Sequence, residues 1–188
     1  MRALLPRLLP GLLTAALVAS AALASGPALA QGHGHAPARA ATPAKPGPKP
    51  IGKFEDWQAA TYQEGGQTVC YALTRAANSA PALPGRGQVF ITVTERTTGR
   101  DAVALSAGYA YPANATVTLQ VDQTTLDFYT AQRSAFARDG RAAVQAFAKG
   151  RQVVAKGPGP RGASVTDTFS LRGFEAAYAA ISKACPAK

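Results

Sequence analysis

The clearest structural signal in the chain is the stretch QVFITVT at residues 88–94. Val89, Ile91 and Val93 occupy every second position there, so they lie on one face of an extended strand. Phe90, Thr92 and Thr94 lie on the opposite face. This alternation is typical of a strand with one face on a hydrophobic core. It predicts that the folded part of the protein is mainly β.

Other stretches with a β-rich composition lie on both sides of this one. They are residues 67–74, 102–107, 116–121, 124–130, 151–156 and 164–171. Asp122 and Gln123 form a turn between the two central stretches, so residues 116–130 are predicted to be a hairpin.

Two further stretches follow a helical period. Residues 141–149 place Val144, Phe147 and Ala148 at i, i+3 and i+4, and residues 173–184 carry a longer apolar stripe of the same kind. We therefore expect a mainly β, α+β fold, with an antiparallel sheet or β-sandwich as its centre. The short internal helix and the C-terminal helix are expected to pack on that sheet.

The first 30 residues have the three parts of an export signal. Arg2 and Arg7 make the start positive, residues 8–23 are almost wholly apolar, and residues 28–30 read ALA, a small-residue cleavage site. Proline and glycine interrupt the apolar run, which falls short of the ~20 residues of a membrane span. The sequence predicts a signal peptide over residues 1–30 and a mature protein in the periplasm or the medium, without a membrane span.

Residues 31–52 are rich in proline, alanine and glycine, and they contain no run of core-forming residues. Such a segment cannot bury enough apolar surface to offset its chain entropy. It is predicted to be a disordered spacer, followed by a single domain over residues 53–188.

Positive charge is concentrated near the C-terminus, where residues 133–188 contain ten basic and three acidic residues. Such a region can attract anionic molecules of the envelope or of a host surface, although a merely solvated positive face is the alternative. The candidate contact residues are Arg133, Arg138, Arg141, Lys149, Arg151, Lys156, Arg161 and Arg172. No nucleic-acid-reading motif accompanies them, so nucleic acid is not the expected partner.

The chain contains two cysteines, Cys70 and Cys185. Export would place them in an oxidising compartment, where we expect them to form a disulfide rather than two free thiols. Closing a loop of ~100 residues contributes about 4.7 kcal/mol in the chain-entropy model.

Histidine occurs at His33 and His35, both in the predicted spacer. The predicted domain therefore lacks the histidine of Ser-His-Asp or Cys-His catalysis and of histidine-based zinc sites. Two cysteines cannot complete a zinc site by themselves. We expect no enzymatic activity and no cofactor, with a hydrolase built on a carboxylate pair as a remote alternative.

Two local patterns suggest ligands. Residues 157–162, GPGPRG, match the dinucleotide fingerprint, but a predicted strand rather than a helix follows, and Pro158 and Pro160 lack N–H groups. A stiff connection between strands is predicted there. The predicted mature N-terminus, Gln31-Gly32-His33, could offer Cu(II) or Ni(II) a square-planar set of nitrogens, so metal handling is retained as an alternative.

Several short motifs follow one another along the predicted domain. Residues 54–57 read FEDW, residues 161–162 read RG, residues 166–171 read TDTFSL, and residues 184–186 read ACP. Their order and spacing resemble the invasion-associated locus B family of bacterial exported proteins. The motif residues are Trp57, Arg161, Gly162, Asp167, Ser170 and Gly173.

The resemblance implies an exported envelope protein without enzymatic activity, associated in some relatives with entry into host cells. Many relatives have another cysteine shortly after the tryptophan, whereas residues 58–62 here read QAATY, so the chain resembles a two-cysteine branch. Trp57 is expected in the core, and Asp167 and Arg161 are expected to pair or to cap a turn. A binding or interaction role is the first hypothesis, and a periplasmic small-ligand or metal-handling role is the alternative.

Overall fold

A computed structural model of the protein describes residues 47–187. The predicted signal peptide, the predicted spacer up to residue 46 and the candidate metal site Gln31-Gly32-His33 lie outside the described residues. Within the described range the chain forms eleven strands, two α-helices and one short 3₁₀ turn.

The strands are β1 (Lys49–Phe54), β2 (Trp57–Glu64), β3 (Gln67–Arg75), β4 (Asn78–Ala80), β5 (Phe90–Glu95), β6 (Ala102–Ser106), β7 (Thr116–Val121), β8 (Thr124–Ala131), β9 (Ser134–Ala137), β10 (Gln152–Pro158) and β11 (Ser164–Ser170). The helices are α1 (Gly140–Lys149) and α2 (Phe174–Ala184), and the 3₁₀ turn is Pro160–Gly162.

All strands belong to one antiparallel sheet, in the order β1-β2-β3-β5-β6-β9-β8-β7-β10-β11-β4. β4 follows β3 closely in the chain, yet it pairs with β11, where Ser79 lies opposite Asp167. Ala77, the residue before β4, donates from its backbone N to Thr168 O of β11 at 2.8 Å. The chain therefore links the third strand of the order to the last one, and the sheet curves round an interior. The fold class predicted from the sequence is confirmed.

The core lies on the inner side of this sheet, beneath the two helices. Phe174 of α2 contacts Trp57 of β2 edge-on at 4.8 Å between ring centroids, and Phe147 of α1 at 5.5 Å. All three side chains are buried. Edge-on pairs of this kind contribute about 0.5–1.5 kcal/mol each beyond the area that they bury. The aromatic cluster thus joins both helices to the sheet.

The predicted strands occur where the alternation placed them. In β5, Ile91 and Val93 are buried and Thr92 and Thr94 are partly exposed. The hairpin predicted over residues 116–130 is formed by β7 and β8. Its turn includes Asp122 in the left-handed region, with φ of 50°.

Both predicted helices are present, with clear physical reasons for their first residues. Asp139 caps α1, because its carboxylate accepts a hydrogen bond from Ala142 N at 2.9 Å. Gly173 precedes α2 with φ of +84°, and a Cβ there would lie 2.1 Å from the carbonyl oxygen of Phe54. Only glycine fits this conformation and this close approach.

The predicted spacer is wrong over residues 49–52, which belong to β1. β1 is the first strand of the order, and Pro50 is compatible with such an edge position because its missing N–H removes no inner ladder bond. Ile51 and Phe54 pack against the core, and a bulge lies between Pro50 and Gly52. The strand depends on pairing with β2, and the sequence predicted neither β1 nor β2. The short strands β4 and β9 were not predicted either.

The sequence GPGPRG at residues 157–162 links β10 to β11. Gly159 N donates to Ala163 O at 2.6 Å, which closes the connection. A strand therefore follows the glycine motif, as predicted, and the strand–helix context of a dinucleotide site is not met.

Among residues 47–187, no helix combines the length and the apolar character that a membrane crossing requires.

Candidate functional site

The outer face of the sheet carries a continuous polar surface across β7, β8, β9, β10 and β11. We call it the outer strip, and it consists of Phe136, Tyr129, Asp127, Arg138, Thr116, Thr118, Lys156 and Thr166. Strand register places these residues side by side, with Phe136 opposite Tyr129, Tyr129 opposite Thr116, Thr118 opposite Lys156, and Lys156 opposite Thr166.

Their neighbours along each strand show which way the strip faces. Val117, Phe128, Ala155 and Val165 alternate with strip residues and are buried in the core. Because successive side chains of a strand point to opposite faces, the strip residues point outward.

Tyr129 is the large apolar side chain that stands out of this surface. Its side chain is 45% exposed, and it is the exposed large hydrophobic residue among residues 47–187. The ring stacks on Phe136, with centroids 5.6 Å apart and planes at 29°. The Arg138 guanidinium lies 5.8 Å from the Tyr129 centroid. Two neighbours thus hold the ring in place while much of it remains accessible.

A groove begins beside Tyr129, on the side of Thr116. It has a volume of about 380 Å³, and its lining residues are Thr116, Thr118, Lys156, Gly157, Pro158, Gly162, Ala163 and Ser164. Hydroxyl groups and one ammonium group therefore face solvent next to an aromatic ring. Such a surface can donate and accept hydrogen bonds and can attract an anion.

Positive charge predominates on the strip and its adjoining turn, where Arg138, Lys156 and Arg161 outnumber one carboxylate, Asp127, which lies opposite Thr118. The ion pairs among residues 47–187 join Arg86 to Asp167, Arg96 to Glu64, Arg100 to Glu95, and Arg172 to Glu55. None of these pairs within the described range includes Arg138, Lys156 or Arg161. Arg161 lies on the exposed turn beyond β10, next to the groove. These three cations are available to an anionic partner.

The structure places the other candidate basic residues elsewhere. Arg141 and Lys149 lie in α1, and Arg151 lies between α1 and β10. Arg172 follows the end of β11 opposite the groove and forms an ion pair with Glu55 at 2.7 Å. Arg133 lies between β8 and β9 and donates to Gly108 O at 2.6 Å. The eight residues are thus spread over several elements, and Arg138 and Lys156 belong to the strip.

Asp167, the best polar candidate from the sequence, is buried and paired with Arg86. Arg86 Nη1 and Nη2 lie 2.8 and 2.7 Å from the two carboxylate oxygens, and the side chains are 7% and 5% exposed. Arg86 Nε donates to Ala107 O at 2.8 Å, and its guanidinium lies 5.0 Å from the Tyr109 centroid. Burial raises the pKa of Tyr109 and of Tyr111 nearby. The expected pairing of Asp167 is present, with a partner that sequence reasoning did not identify.

The remaining motif residues hold β11 and α2 to the start of the domain. Trp57 Nε1 donates to Ser170 O at 3.0 Å across the interior. Ser170 Oγ accepts from Arg172 N at 3.2 Å, which shapes the link to α2. Gly162 has φ of +79° in the exposed turn, beside Arg161. Most of the motif thus has a structural role.

Cys70 and Cys185 form a disulfide, as predicted, with Cα atoms 5.9 Å apart. The bond ties the end of α2 to β3. In the sheet, Cys70 lies opposite Glu95, which is fully buried. Arg100 Nε lies 2.6 Å from Glu95 Oε2, and the same guanidinium donates to Cys185 O.

The environment of Glu95 changes its acidity. Burial raises the pKa of Glu95 to about 7, against the opposing effects of the Asp101 backbone N–H and of Arg100. Asp101 N donates to Glu95 Oε1 at 3.2 Å, and Tyr178 OH donates to Asp101 Oδ1 at 2.5 Å. Burial, followed by this bond to Asp101, raises the pKa of Tyr178 to about 12. Sequence reasoning did not identify this cluster.

Among residues 47–187, no three or more histidine, cysteine, aspartate or glutamate side chains come together as a metal site would require.

These features define a class: a small disulfide-bonded β-domain whose C-terminal helix is tied to the sheet and whose outer face is polar and positive. The sequence model of the family described as Invasion associated locus B (IalB) protein matches residues 57–182. The chain therefore belongs to this family, as its motifs predicted.

A solved structure has the same fold. It is the crystal structure of invasion associated protein B from Bartonella henselae, 18% identical, with a TM-score of 0.52, covering 71% of this chain and 97% of that one. At this identity the likeness concerns the fold alone. No curated protein sequence matches the chain.

Proposed function

We propose that the protein is an exported, non-catalytic binding protein of the invasion associated locus B type. It contacts anionic molecules of the envelope or of a host surface through positive residues on its outer face. The observation that carries this proposal is the outer strip, where Arg138 and Lys156 flank an accessible aromatic ring and hydroxyl groups.

Export is supported by two independent features. Residues 1–30 have the composition of a signal peptide, and the disulfide between Cys70 and Cys185 is of the kind that persists in oxidising compartments. The family is one of exported proteins, in accordance with the motifs described above.

A non-catalytic role is supported by the state of the buried carboxylates. Both oxygens of Asp167 bind Arg86, so this carboxylate is occupied by a structural partner. Glu95 lies beneath the disulfide, fully buried and without access to solvent. The strip itself offers hydroxyl groups, an ammonium group and an aromatic ring, which suit recognition better than proton transfer.

Intact mass of the protein from the periplasm and the medium of its native host tests export. We expect a chain that begins at Gln31 and is two protons lighter than the reduced form. A full-length mass with free thiols would contradict the proposal. Binding is tested separately, by retention of the mature protein on an immobilised polyanion and its release by salt. Equal retention on a neutral polymer would contradict a role for charge.

A small-ligand role is the second candidate, and one groove favours it. The groove lies between α1 and α2, has a volume of about 640 Å³, and includes the small side chains Ala148, Ala176 and Ala179 in its lining. An environment-sensitive apolar dye should bind there, and Ala176→Trp should displace it. Copper titration of a peptide beginning Gln31-Gly32-His33 tests metal handling, for which a square-planar absorption band is expected.

A further inference from the structure

We propose that the outer strip binds a linear acidic polysaccharide, with a sugar ring against Tyr129 and an anionic substituent at Lys156. The inference rests on the proposed function, because it specifies the partner of the same surface. Four features of the strip carry it: the aromatic ring, the hydroxyl groups, the spacing of the cations and the small apolar area.

The aromatic ring provides a stacking surface. The faces of aromatic rings are electron-rich, and the C–H groups on one face of a sugar are weakly positive and apolar, so the two pack together. Tyr129 is 45% exposed and is backed by Phe136 at 5.6 Å. The ring is therefore held in position before a ligand arrives, which lowers the entropy that binding costs.

The hydroxyl groups match those of a sugar chain. Thr116 and Thr118 line the groove together with Ser164, and Thr166 lies opposite Lys156. Each hydroxyl both donates and accepts hydrogen bonds, as sugar hydroxyls do, so many pairings are geometrically possible along the strip. Bridging water can complete contacts that are too long for a direct bond.

The spacing of the charges suits a repeating polymer. Tyr129 lies on β8 and Lys156 lies on β10, with β7 between them. Neighbouring strands are ~4.8 Å apart, and Lys156 lies opposite Thr118, two residues along β7 from Thr116, so Lys156 is ~12 Å from the ring. That distance is comparable to a disaccharide unit. Arg138 lies at the ring itself, and Arg161 lies in the turn that follows β10, so further cations lie near the ring and near the groove.

A protein or a lipid partner fits the strip less well. The centres of protein interfaces are apolar and carry several aromatic or aliphatic anchors. Here one ring is surrounded by threonines, serine, lysine and Asp127, so little apolar area would be buried. Membrane binding needs apolar side chains that can enter the acyl region, and Tyr129 alone does not supply them.

The test uses the whole mature protein, exported and disulfide-bonded. The probe is a heparin-derived octasaccharide, with its chemically desulfated form as the matched ligand, and binding is measured by titration calorimetry. Tyr129→Ala should weaken binding of the sulfated probe about ten-fold, and Tyr129→Phe, which keeps the ring, should bind like the unmodified protein. Lys156→Gln should weaken binding about five-fold and reduce its salt dependence.

Two control variants match these changes outside the strip. Lys183→Gln removes an exposed charge from α2, and Tyr62→Ala removes an aromatic ring from the outer face of β2. Both should bind the octasaccharide with unchanged affinity. Circular dichroism and thermal unfolding of every variant report whether its fold is retained, and Lys156→Gln keeps the proposal testable if Tyr129→Ala does not fold.

Each result separates this inference from the proposed function. If the protein binds the octasaccharide and Tyr129→Ala and Lys156→Gln bind equally well, the strip is not the site, although an anionic partner remains supported. If Lys183→Gln weakens binding as much as Lys156→Gln does, binding depends on overall charge, and the strip is not the binding site. If the unmodified protein binds anionic phospholipid vesicles and not the octasaccharide, the inference of a polysaccharide ligand is contradicted. The proposed contact with anionic molecules is still supported in that case. If it binds neither probe, both proposals fail.

Discussion

Two buried carboxylates, Asp167 and Glu95, are held in different ways. Both carboxylate oxygens of Asp167 accept hydrogen bonds from the guanidinium of Arg86, at 2.7 and 2.8 Å. The side chain of Arg86 is itself buried. Glu95 Oε2 lies 2.6 Å from Arg100 Nε without the alignment of a hydrogen bond, and Arg100 is 30% exposed. Bidentate pairs are the stronger arrangement, because two parallel N–H groups satisfy both oxygens.

The difference shows that burial alone does not determine what a carboxylate does. The Asp167 pair is a rigid connection between β11 and the loop before β5. At Glu95, burial outweighs the partners and raises the pKa to about 7, so the folded protein takes up a proton there near neutral pH. The region around the disulfide is therefore expected to respond to pH, and the region around Asp167 is expected to depend on an intact pair.

Removal of the disulfide, which lies beside Glu95, should have the largest effect on the free energy of unfolding. Replacing Cys70 and Cys185 by alanine releases the end of α2 from β3, above Glu95. The free energy of unfolding should fall by about 5 kcal/mol, because a long loop in the unfolded chain is no longer closed. Denaturant unfolding measures this change. Reductant should lower the midpoint of the unmodified protein to that of the variant and leave the variant unaffected; a variant as stable as the oxidised protein would contradict the prediction.

Loss of the ion pair between Asp167 and Arg86 should have the second largest effect on stability. Asp167→Asn leaves the buried guanidinium of Arg86 without its counter-charge and should cost about 4 kcal/mol of stability. The matched control is the double variant Arg86→Met with Asp167→Leu, which removes both charges and should lose much less. If both variants lose the same stability in denaturant unfolding, packing rather than charge accounts for the role of Asp167.

The region around Asp167 should remain rigid as far as Gly173, at the start of α2. Gly173→Ala places a Cβ 2.1 Å from Phe54 O at a φ of +84° and should cost about 3 kcal/mol. Gly162→Ala is the control, because Gly162 has a similar φ of +79° but open space around it, and it should cost about 1 kcal/mol. Thermal unfolding compares the two. Equal losses would show that backbone conformation, and not the contact with β1, makes Gly173 necessary.

The smallest expected effect is the pH dependence at Glu95. A carboxyl whose pKa is higher in the folded protein binds its proton more tightly when folded, so protonation stabilises the fold. This contribution is complete below the usual pKa of 4.5 and is lost as the pH rises through about 7. Glu95→Gln cannot ionise, so the stability of the unmodified protein should fall by about 2 to 3 kcal/mol relative to the variant between pH 5 and pH 8.

Denaturant unfolding at both pH values measures this difference, and the other carboxylates cancel because both proteins share them. A constant difference between the two proteins across this range would show that Glu95 is ionised throughout.

The sequence anticipated most of the fold because the relevant signals are local. Alternation predicted β5 and the hairpin of β7 and β8, and helical periodicity predicted α1 and α2. β1 was assigned to the spacer, since its proline and glycine content is typical of disorder and only pairing with β2 makes it a strand. The short strands β4 and β9 carry too few residues for a period to be recognised.

The candidate site was anticipated in part. Arg138, Lys156 and Arg161 were among the predicted basic residues, but Tyr129 and Phe136 were not singled out. A signal for Tyr129 exists, because in residues 124–131 it alternates with Leu126 and Phe128 toward the outer face. Glu95 could also have been found, since it continues the inward positions of Ile91 and Val93. Arg86 could not, because it is 81 residues from Asp167 and no local pattern connects them.

The sequence by itself determined seven of the eleven strands, both helices, the disulfide and the family, since periodicity, two cysteines and ordered motifs are properties of the chain. The tertiary structure decided the strand order, the pairing of Arg86 with Asp167, the burial of Glu95 beneath the disulfide and the assembly of the outer strip. Each of these depends on which distant segments become neighbours, and that choice is made by the packing of the whole core.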